Sequence, residues 1–173
     1  MSEIQATITQ YARMLNNLDA WLQAASAHAE AKKFDPEVFA QARLAPDAYA
    51  LVQQVQSACD AAKYAAAYLS GQTAPSHPDT EKTVAELRAR VAKARDYVAG
   101  FKESDFAGGG ERRVAPAWMQ GRSVGGDVYL TRIATPNFYF HVTMAYAILR
   151  HNGVALGKAD FIGVKGWEEI GDW

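Results

Sequence analysis

The chain has 173 residues, of which 49% are hydrophobic and 21% are charged, and its 18 basic and 19 acidic residues give a net charge of −1. This composition is typical of a soluble globular domain, and we expect residues 1–173 to form one domain. A near-neutral chain without a basic, aromatic-bearing stripe argues against a nucleic-acid partner, and no apolar run approaches the roughly 18 residues of a membrane span. Because Cys59 is the single cysteine, an internal disulfide is excluded and a cytoplasmic location is predicted.

The first half of the chain predicts two long helices. Apolar residues at alternating steps of three and four predict the first helix over residues 3–30. Its stripe is Ile4, Ile8, Tyr11, Leu15, Leu18, Leu22, Ala25 and Ala29. The second helix is predicted over residues 47–70, where Gly71 is a natural stop. The many alanines on its inner face would allow a neighbouring helix to approach closely.

The second half of the chain predicts two further helices with a long excursion between them. The third helix is predicted over residues 79–101, with Pro78 at its start. Residues 102–127 are glycine-rich and lack a helical period, so they predict an irregular excursion with a short hairpin around residues 113–122. The fourth helix is predicted over residues 136–152. Four long helices joined by short turns and one long crossover predict an all-α four-helix bundle.

The tail, residues 153–173, is punctuated by glycines and ends in large apolar side chains. Trp167, Ile170 and Trp173 give it more apolar weight than a solvated terminus needs. Tryptophan is enriched at protein interfaces. We therefore expect the tail either to pack on its own bundle or to contribute to a homodimer.

A single histidine lies within the apolar stretch of the fourth helix. A helical projection places His141 and Asn137 one turn apart, near the middle of the apolar stripe and pointing into the bundle. The same projection puts Gln54 at the edge of the second helix's stripe, where it is expected to meet His141. Buried amides and imidazoles need hydrogen-bond partners. The three residues either satisfy one another and fix the helix register, or line a small polar pocket used for binding or chemistry.

Three other residues on the second helix have simpler interpretations. Cys59 projects into the apolar arc, so we expect a buried thiol with a structural role. Asp60 and Lys63 are three residues apart on the outer face, and this spacing predicts a solvated ion pair of little energetic weight.

Three stretches of the sequence resemble a known family. "RLAPDAYALVQQVQSACDAAKYAAAYLSG", "EKTVAELRARV" and "PNFYFHVTMAYAILRHNGVALGKADFIG" resemble an uncharacterised family, a domain of unknown function, within the DinB/YfiT-like superfamily of proposed metalloenzymes. The resemblance implies an up-down-down-up four-helix bundle that is often dimeric. It also implies relatives that are thiol-dependent transferases and isomerases. In those relatives, a histidine of the second helix and an H-x-x-x-H pair of the fourth helix bind a divalent metal.

The positions that match this metal site carry a different set of side chains. The two fourth-helix positions fall on Asn137 and His141, and the second-helix position falls near Gln54. Zinc sites are normally built from Cys, His and carboxylate ligands, so one imidazole with two amides is a weak set. We therefore expect no cofactor; if zinc or nickel were held, the ligands would be His141 with Gln54 and Asn137.

The resemblance and the altered ligand set together predict two functions. In the first, the protein is a DinB-like bundle with a degenerate metal site, retained to bind a small-molecule ligand or to form a homodimer. In the alternative, it is a divergent metal- or thiol-dependent enzyme of the transferase or isomerase type, with His141 as a base or as the lone metal ligand.

Overall fold

Long helices dominate the computed structural model, which describes residues 1–164. The elements are α1 (Glu3–Lys32), α2 (Leu51–Ser70), α3 (Val84–Ala99), β1 (Arg113–Val114), β2 (Val124–Gly125), α4 (Gly126–Tyr129), α5 (Thr135–His151) and α6 (Lys158–Ile162). The two short strands pair antiparallel, in the part of the chain where a hairpin was predicted. The expected all-α class is confirmed at the level of a mostly helical fold.

The periodicity of α1 determines which of its faces is buried. Every residue of the predicted stripe, from Ile4 to Ala29, is buried in the structure. The hydroxyl of Ser2 accepts a hydrogen bond from the backbone of Gln5, which satisfies one of the free amides at the helix start. Lys33, in the left-handed conformation at φ 60°, ends the helix.

The second and third helices begin later than their sequences predict. α2 starts at Leu51 rather than near residue 47, because the backbone amide of Leu51 is bonded to the Ala42 carbonyl of the preceding connection. α3 starts at Val84 rather than residue 79. Thr83 and Glu86 form a capping box there, with reciprocal hydrogen bonds of 3.1 Å and 3.0 Å. This cap is a stronger start signal than the earlier Pro78.

The last long helical run starts earlier than residue 136, where the sequence predicted its beginning. α4 continues without interruption through a π-helical segment, Leu130–Ala134, into α5. A proline within a helix removes one backbone hydrogen bond and crowds the preceding turn. Local π geometry is a known way to interrupt the regular hydrogen-bond ladder. Pro136 is therefore accommodated inside a helical run instead of starting one.

The four long helices enclose a common core. α1 packs against α3 and α5, and α2 packs against the same two helices. The buried apolar residues form one cluster that draws on all four. The excursion approaches this bundle closely at Gly126, where only a glycine fits. A Cβ atom at this position would overlap the carbonyl oxygen of Gly109 and press on Leu69. The hairpin is thereby fixed at the C-terminal end of α2.

The described part of the tail packs on the bundle through α6. The indole N–H of Trp21 donates to the Asp160 carbonyl at 3.1 Å, and the Trp21 ring stacks on Phe161. Trp167, Ile170 and Trp173 lie outside the described residues. Within residues 1–164, every helix is too short or too polar to cross a membrane.

Candidate functional site

An open cleft of about 1050 Å³ runs along the outward face of α2. Its walls come from the connection before α2, the loop before α3, the hairpin, and the α4–α5 run. Five aromatic side chains line it, which are Tyr49, Tyr64, Tyr68, Trp118 and Tyr129. Ligand sites are commonly concave surfaces that combine aromatic walls with a few converging polar groups. The polar groups of this cleft form two sets, one around His141 and one around Asp60.

The first polar set contains the residues predicted from the sequence. The Nδ1 atom of His141 lies 2.8 Å from Oε1 of Gln54, so the two side chains meet as expected. Gln54 is buried on α2, whereas His141 is half-buried at the edge of α5. His141 also lines a smaller pocket of about 220 Å³ beside Phe140 and Met144.

The surroundings of Gln54 determine which nitrogen of His141 carries the proton. The Nε2 amide group of Gln54 donates to the backbone carbonyl of Tyr49 at 3.3 Å. A carbonyl only accepts hydrogen bonds, so the Oε1 end of the amide must face His141. His141 Nδ1 is therefore the donor, and in the neutral ring Nε2 carries a free lone pair.

Burial keeps this imidazole neutral. Loss of solvation lowers the pKa of His141 from its ordinary value. The unperturbed histidine pKa is about 6.5, so at neutral pH the uncharged ring predominates. A neutral imidazole with this tautomer has one acceptor atom, Nε2, and its ring borders both the cleft and the smaller pocket.

Asn137 does not point into the bundle, and that expectation was wrong. The side chain is exposed and lines the cleft one turn before His141. The buried stripe of α5 is instead Phe138, Val142, Ala145, Ile148 and Leu149. Phe140 is 56% exposed and Met144 is half-buried. Because both are apolar, the helical projection counted them as buried. The predicted buried face of α5 was therefore too wide, and its centre was displaced toward Asn137.

The three positions implied by the resemblance do not fit a transition-metal site. Oε1 of Gln54 already accepts the hydrogen bond from His141, so Gln54 orients the imidazole and its amide is not free to coordinate a metal. What remains is His141 Nε2 and the amide of the exposed Asn137. Zinc and nickel sites need more imidazole, thiolate or carboxylate donors than this. Among residues 1–164, no three His, Cys, Asp or Glu side chains are grouped to hold a metal ion.

The second polar set was missed by the sequence prediction of a solvated Asp60–Lys63 pair. Lys63 is buried, with its side chain 1% exposed, and its ammonium lies 2.8 Å from Asp60. Arg90 of α3 is equally buried and donates to Asp60, Asp79 and Glu81. The loop before α3 and α3 itself therefore cover a face of α2 that was expected to meet solvent.

A signal for this burial was present in the composition of α2. Lys63 stands among Ala61, Ala62 and Ala65–Ala67, so the helix is small and apolar on almost every side. A helix that is apolar all round is usually buried all round, and a charged residue within it requires a buried partner. Arg90, next to Val91 in the stripe of α3, carries the same signal.

Glu81 connects the ionic set to the wall of the cleft. Burial acts to raise the pKa of Glu81, but the hydrogen bond from Gln56 and the nearby Arg90 guanidinium outweigh it, so that the pKa lies below its ordinary value. Gln56 donates to Glu81 at 2.9 Å. The carboxylate is therefore ionised at neutral pH and held in place from two sides.

Comparison with known proteins decides the family. Residues 4–162 match the model of a family described as a domain of unknown function, DUF1993. The chain belongs to this family. It is also similar to the crystal structure of a DinB family member protein from Shewanella denitrificans, with 46% sequence identity and a TM-score of 0.87. That match covers 92% of this chain and 91% of the other. The resemblance seen in the sequence is thereby confirmed, and the fold is DinB-like. No curated protein matches the chain.

Proposed function

We propose that this DUF1993 protein binds a small organic molecule in the α2 cleft, with Nε2 of His141 accepting a hydrogen bond from it. The observation that carries the proposal is the Gln54–His141 hydrogen bond, which leaves Nε2 as the free acceptor. Here one nitrogen is anchored and the ring borders a cleft that is large enough for a small ligand.

A ligand-observed NMR screen of small fragments tests this proposal. In the variant Ser57→Trp, a large side chain is introduced in the middle of the cleft, where Ser57 is half-exposed. Gln23→Trp adds the same side chain to an exposed position on α1, which does not line the cleft, and is the matched control. We expect fragments that bind the wild type and the Gln23→Trp variant and lose binding in Ser57→Trp. A screen without such fragments would contradict the proposal.

An enzyme of the transferase or isomerase type is the second candidate, and His141 again supports it. A neutral imidazole with a free Nε2 can accept a proton as a general base when a substrate presents one within hydrogen-bond reach. Such an enzyme would act without the ligand set that the resemblance implies for a metal. Loss of turnover in His141→Gln, with ligand binding retained, would distinguish it from a binding protein.

Homodimer formation is a further proposal, supported by exposed aromatic side chains near the cleft. Trp118 is 65% exposed, Phe140 56% and Tyr49 53%. Exposed aromatics of this size are enriched at protein interfaces. Light scattering over a range of concentrations tests the dimer, and a mass that stays monomeric at high concentration would contradict it.

A cytoplasmic location remains a prediction from the sequence.

We also propose an up-down-down-up order within one domain, because of the residues that meet across the bundle. Gln5 meets Phe101, so the start of α1 lies at the end of α3. Trp21 meets Tyr146, both in the later parts of α1 and α5. These pairs support an antiparallel α1–α3 pair and a parallel α1–α5 pair. A crystal structure of the full chain tests the order directly.

A further inference from the structure

The side chains in the middle of the cleft have an excess of negative charge. Asp60, Asp79 and Glu81 line the cleft, and the buried cations beneath them are Lys63 and Arg90. Three carboxylates against two cations leave one uncompensated negative charge at the cleft surface. Asp79 has its side chain 59% exposed, with one oxygen held by Arg90. The two Nη groups of Arg90 donate to protein acceptors and its Nε is buried, so the groups left for a ligand here are mainly acceptors.

Two tyrosine rings follow Asp60 along α2. Tyr64 lies one helical turn beyond Asp60, and Tyr68 one turn further. The rings of Tyr64 and Tyr68 stack with their centroids 5.6 Å apart, and Tyr68 meets Tyr129 edge-on at 5.7 Å. The face of an aromatic ring attracts organic cations. The ammonium of Lys63 already makes this contact with Tyr64, 4.6 Å from the ring centroid, so we expect the charge of a ligand to meet Tyr68 instead. A carboxylate beside aromatic faces favours a ligand that has both a positive charge and an apolar body.

Among the described residues, Arg43 is the one cation that lines the cleft. It belongs to the connection that is hydrogen-bonded to the first turn of α2, through Ala40 to Val52, and Val52 and Asp60 are separated by roughly 12 Å along the helix axis, at 1.5 Å per residue. The guanidinium of Arg43 donates to the Ala48 carbonyl of that connection, so it is directed away from the acidic side chains.

We propose that the ligand of the cleft is a small organic amine or quaternary ammonium ion with an apolar body. Its positive charge lies against Asp60 and Asp79, and its apolar part packs on Tyr64 and Tyr68. This inference rests on the proposed function, namely that the cleft binds a small molecule, and adds the charge and chemical class of that molecule.

Three probes that share a phenylethyl group and differ in charge test the inference. They are phenethylamine, 2-phenylethanol and 3-phenylpropanoate, titrated into the intact protein by calorimetry or ligand-observed NMR at neutral pH. We expect the amine to bind about tenfold more tightly than the alcohol, which corresponds to about 1.4 kcal/mol and is the size of effect expected for a partly desolvated cation–π contact. We expect the carboxylate to bind most weakly.

Substitutions at two positions examine the charge and the rings separately. Asp79→Asn removes a largely exposed carboxylate and should weaken amine binding about three- to tenfold while leaving alcohol binding unchanged. Tyr68→Leu should weaken the amine, and Tyr68→Phe, which keeps the ring, should not. Glu30→Gln removes an exposed carboxylate at the end of α1 and is the matched control. Asp60→Asn is a poorer test because it leaves the buried Lys63 without its carboxylate.

The outcomes separate this inference from the proposed function. Equal or tighter binding of the alcohol or the carboxylate, lost in Ser57→Trp, would overturn the inference and leave a small-molecule cleft in place. Amine binding that survives both Asp79→Asn and Ser57→Trp would place the probe elsewhere and overturn the inference as well. If no probe binds but other fragments bind in the cleft, the inference alone fails. If no fragment binds in the cleft either, both proposals fail.

Discussion

Asp60 is the residue whose replacement gives the sharpest prediction about stability. It is the carboxylate that meets the buried ammonium of Lys63, at 2.8 Å, and it also accepts from Arg90. In Asp60→Asn the volume is kept and the negative charge is lost, so a buried cation is left without a counter-charge. Removing one partner of a buried ion pair costs about 3–5 kcal/mol.

The structure places the expected cost of Asp60→Asn below that range. The Asp60 side chain is 28% exposed, the asparagine oxygen still accepts a hydrogen bond, and Arg90 retains Asp79 and Glu81. We therefore expect a loss of about 2 kcal/mol in the free energy of unfolding, somewhat below the range for a fully buried pair that loses one partner. For a domain of this size the corresponding drop in Tm is about 4–8 °C.

A double-mutant cycle with Lys63→Met isolates the ion pair. Methionine fills the space of the lysine stem without the charge, so in this background Asp60→Asn no longer strands a cation and should cost less than about 1 kcal/mol. Urea denaturation at neutral pH measures all four proteins. Equal costs of Asp60→Asn in both backgrounds, or a cost near zero in the wild type, would refute the reasoning that Lys63 is a buried charge held by Asp60.

Three further predictions concern other parts of the molecule. Burial raises the pKa of Cys59 to about 12, so iodoacetamide should label this thiol only after unfolding, and rapid labelling of the native protein would be inconsistent with a buried thiol. Burial lowers the pKa of His141, so its contribution to stability is present above the unfolded pKa of about 6.5 and is lost as the pH falls through the lower folded value. The stability of wild type relative to His141→Gln should therefore fall between about pH 7.5 and 5, and a difference that grows on acidification would show the opposite shift. Phe161→Ala removes the ring that stacks on Trp21 and should cost about 2 kcal/mol; unchanged stability would mean that α6 is not anchored there.

Strong periodicity is what made most of the fold predictable from the sequence. The stripe of α1 has one apolar residue at nearly every step of three or four, and all of its predicted members are buried. The start of the last helix was harder to place, because Pro136 and the glycines before it are typical breakers. Only the packing of Gly126 against Gly109 and the end of α2 shows why a helix begins there.

The part of the candidate site that is formed by two packed helices was predictable from the sequence. The part that depends on a loop from elsewhere in the chain was not. Gln54 and His141 lie on faces of two helices that pack directly, so a helical projection was sufficient to bring them together. The burial of Lys63 depends on Arg90 and on the loop that carries Asp79 and Glu81, which fold over α2 from a distant part of the sequence. The alanines around Lys63 signal that it is buried, but no local pattern specifies which distant segment covers it.

The tautomer of His141 tests the central claim most directly. A long-range nitrogen–proton NMR experiment on the ring distinguishes a protonated Nδ1 from a protonated Nε2. At neutral pH we predict a neutral ring with the proton on Nδ1 in the wild type. In Gln54→Met, which removes the acceptor, that preference should be lost while the fold is kept, as judged by circular dichroism. A wild-type ring protonated on Nε2, or charged at neutral pH, would contradict the assignment of Nε2 as the acceptor that is left for a ligand.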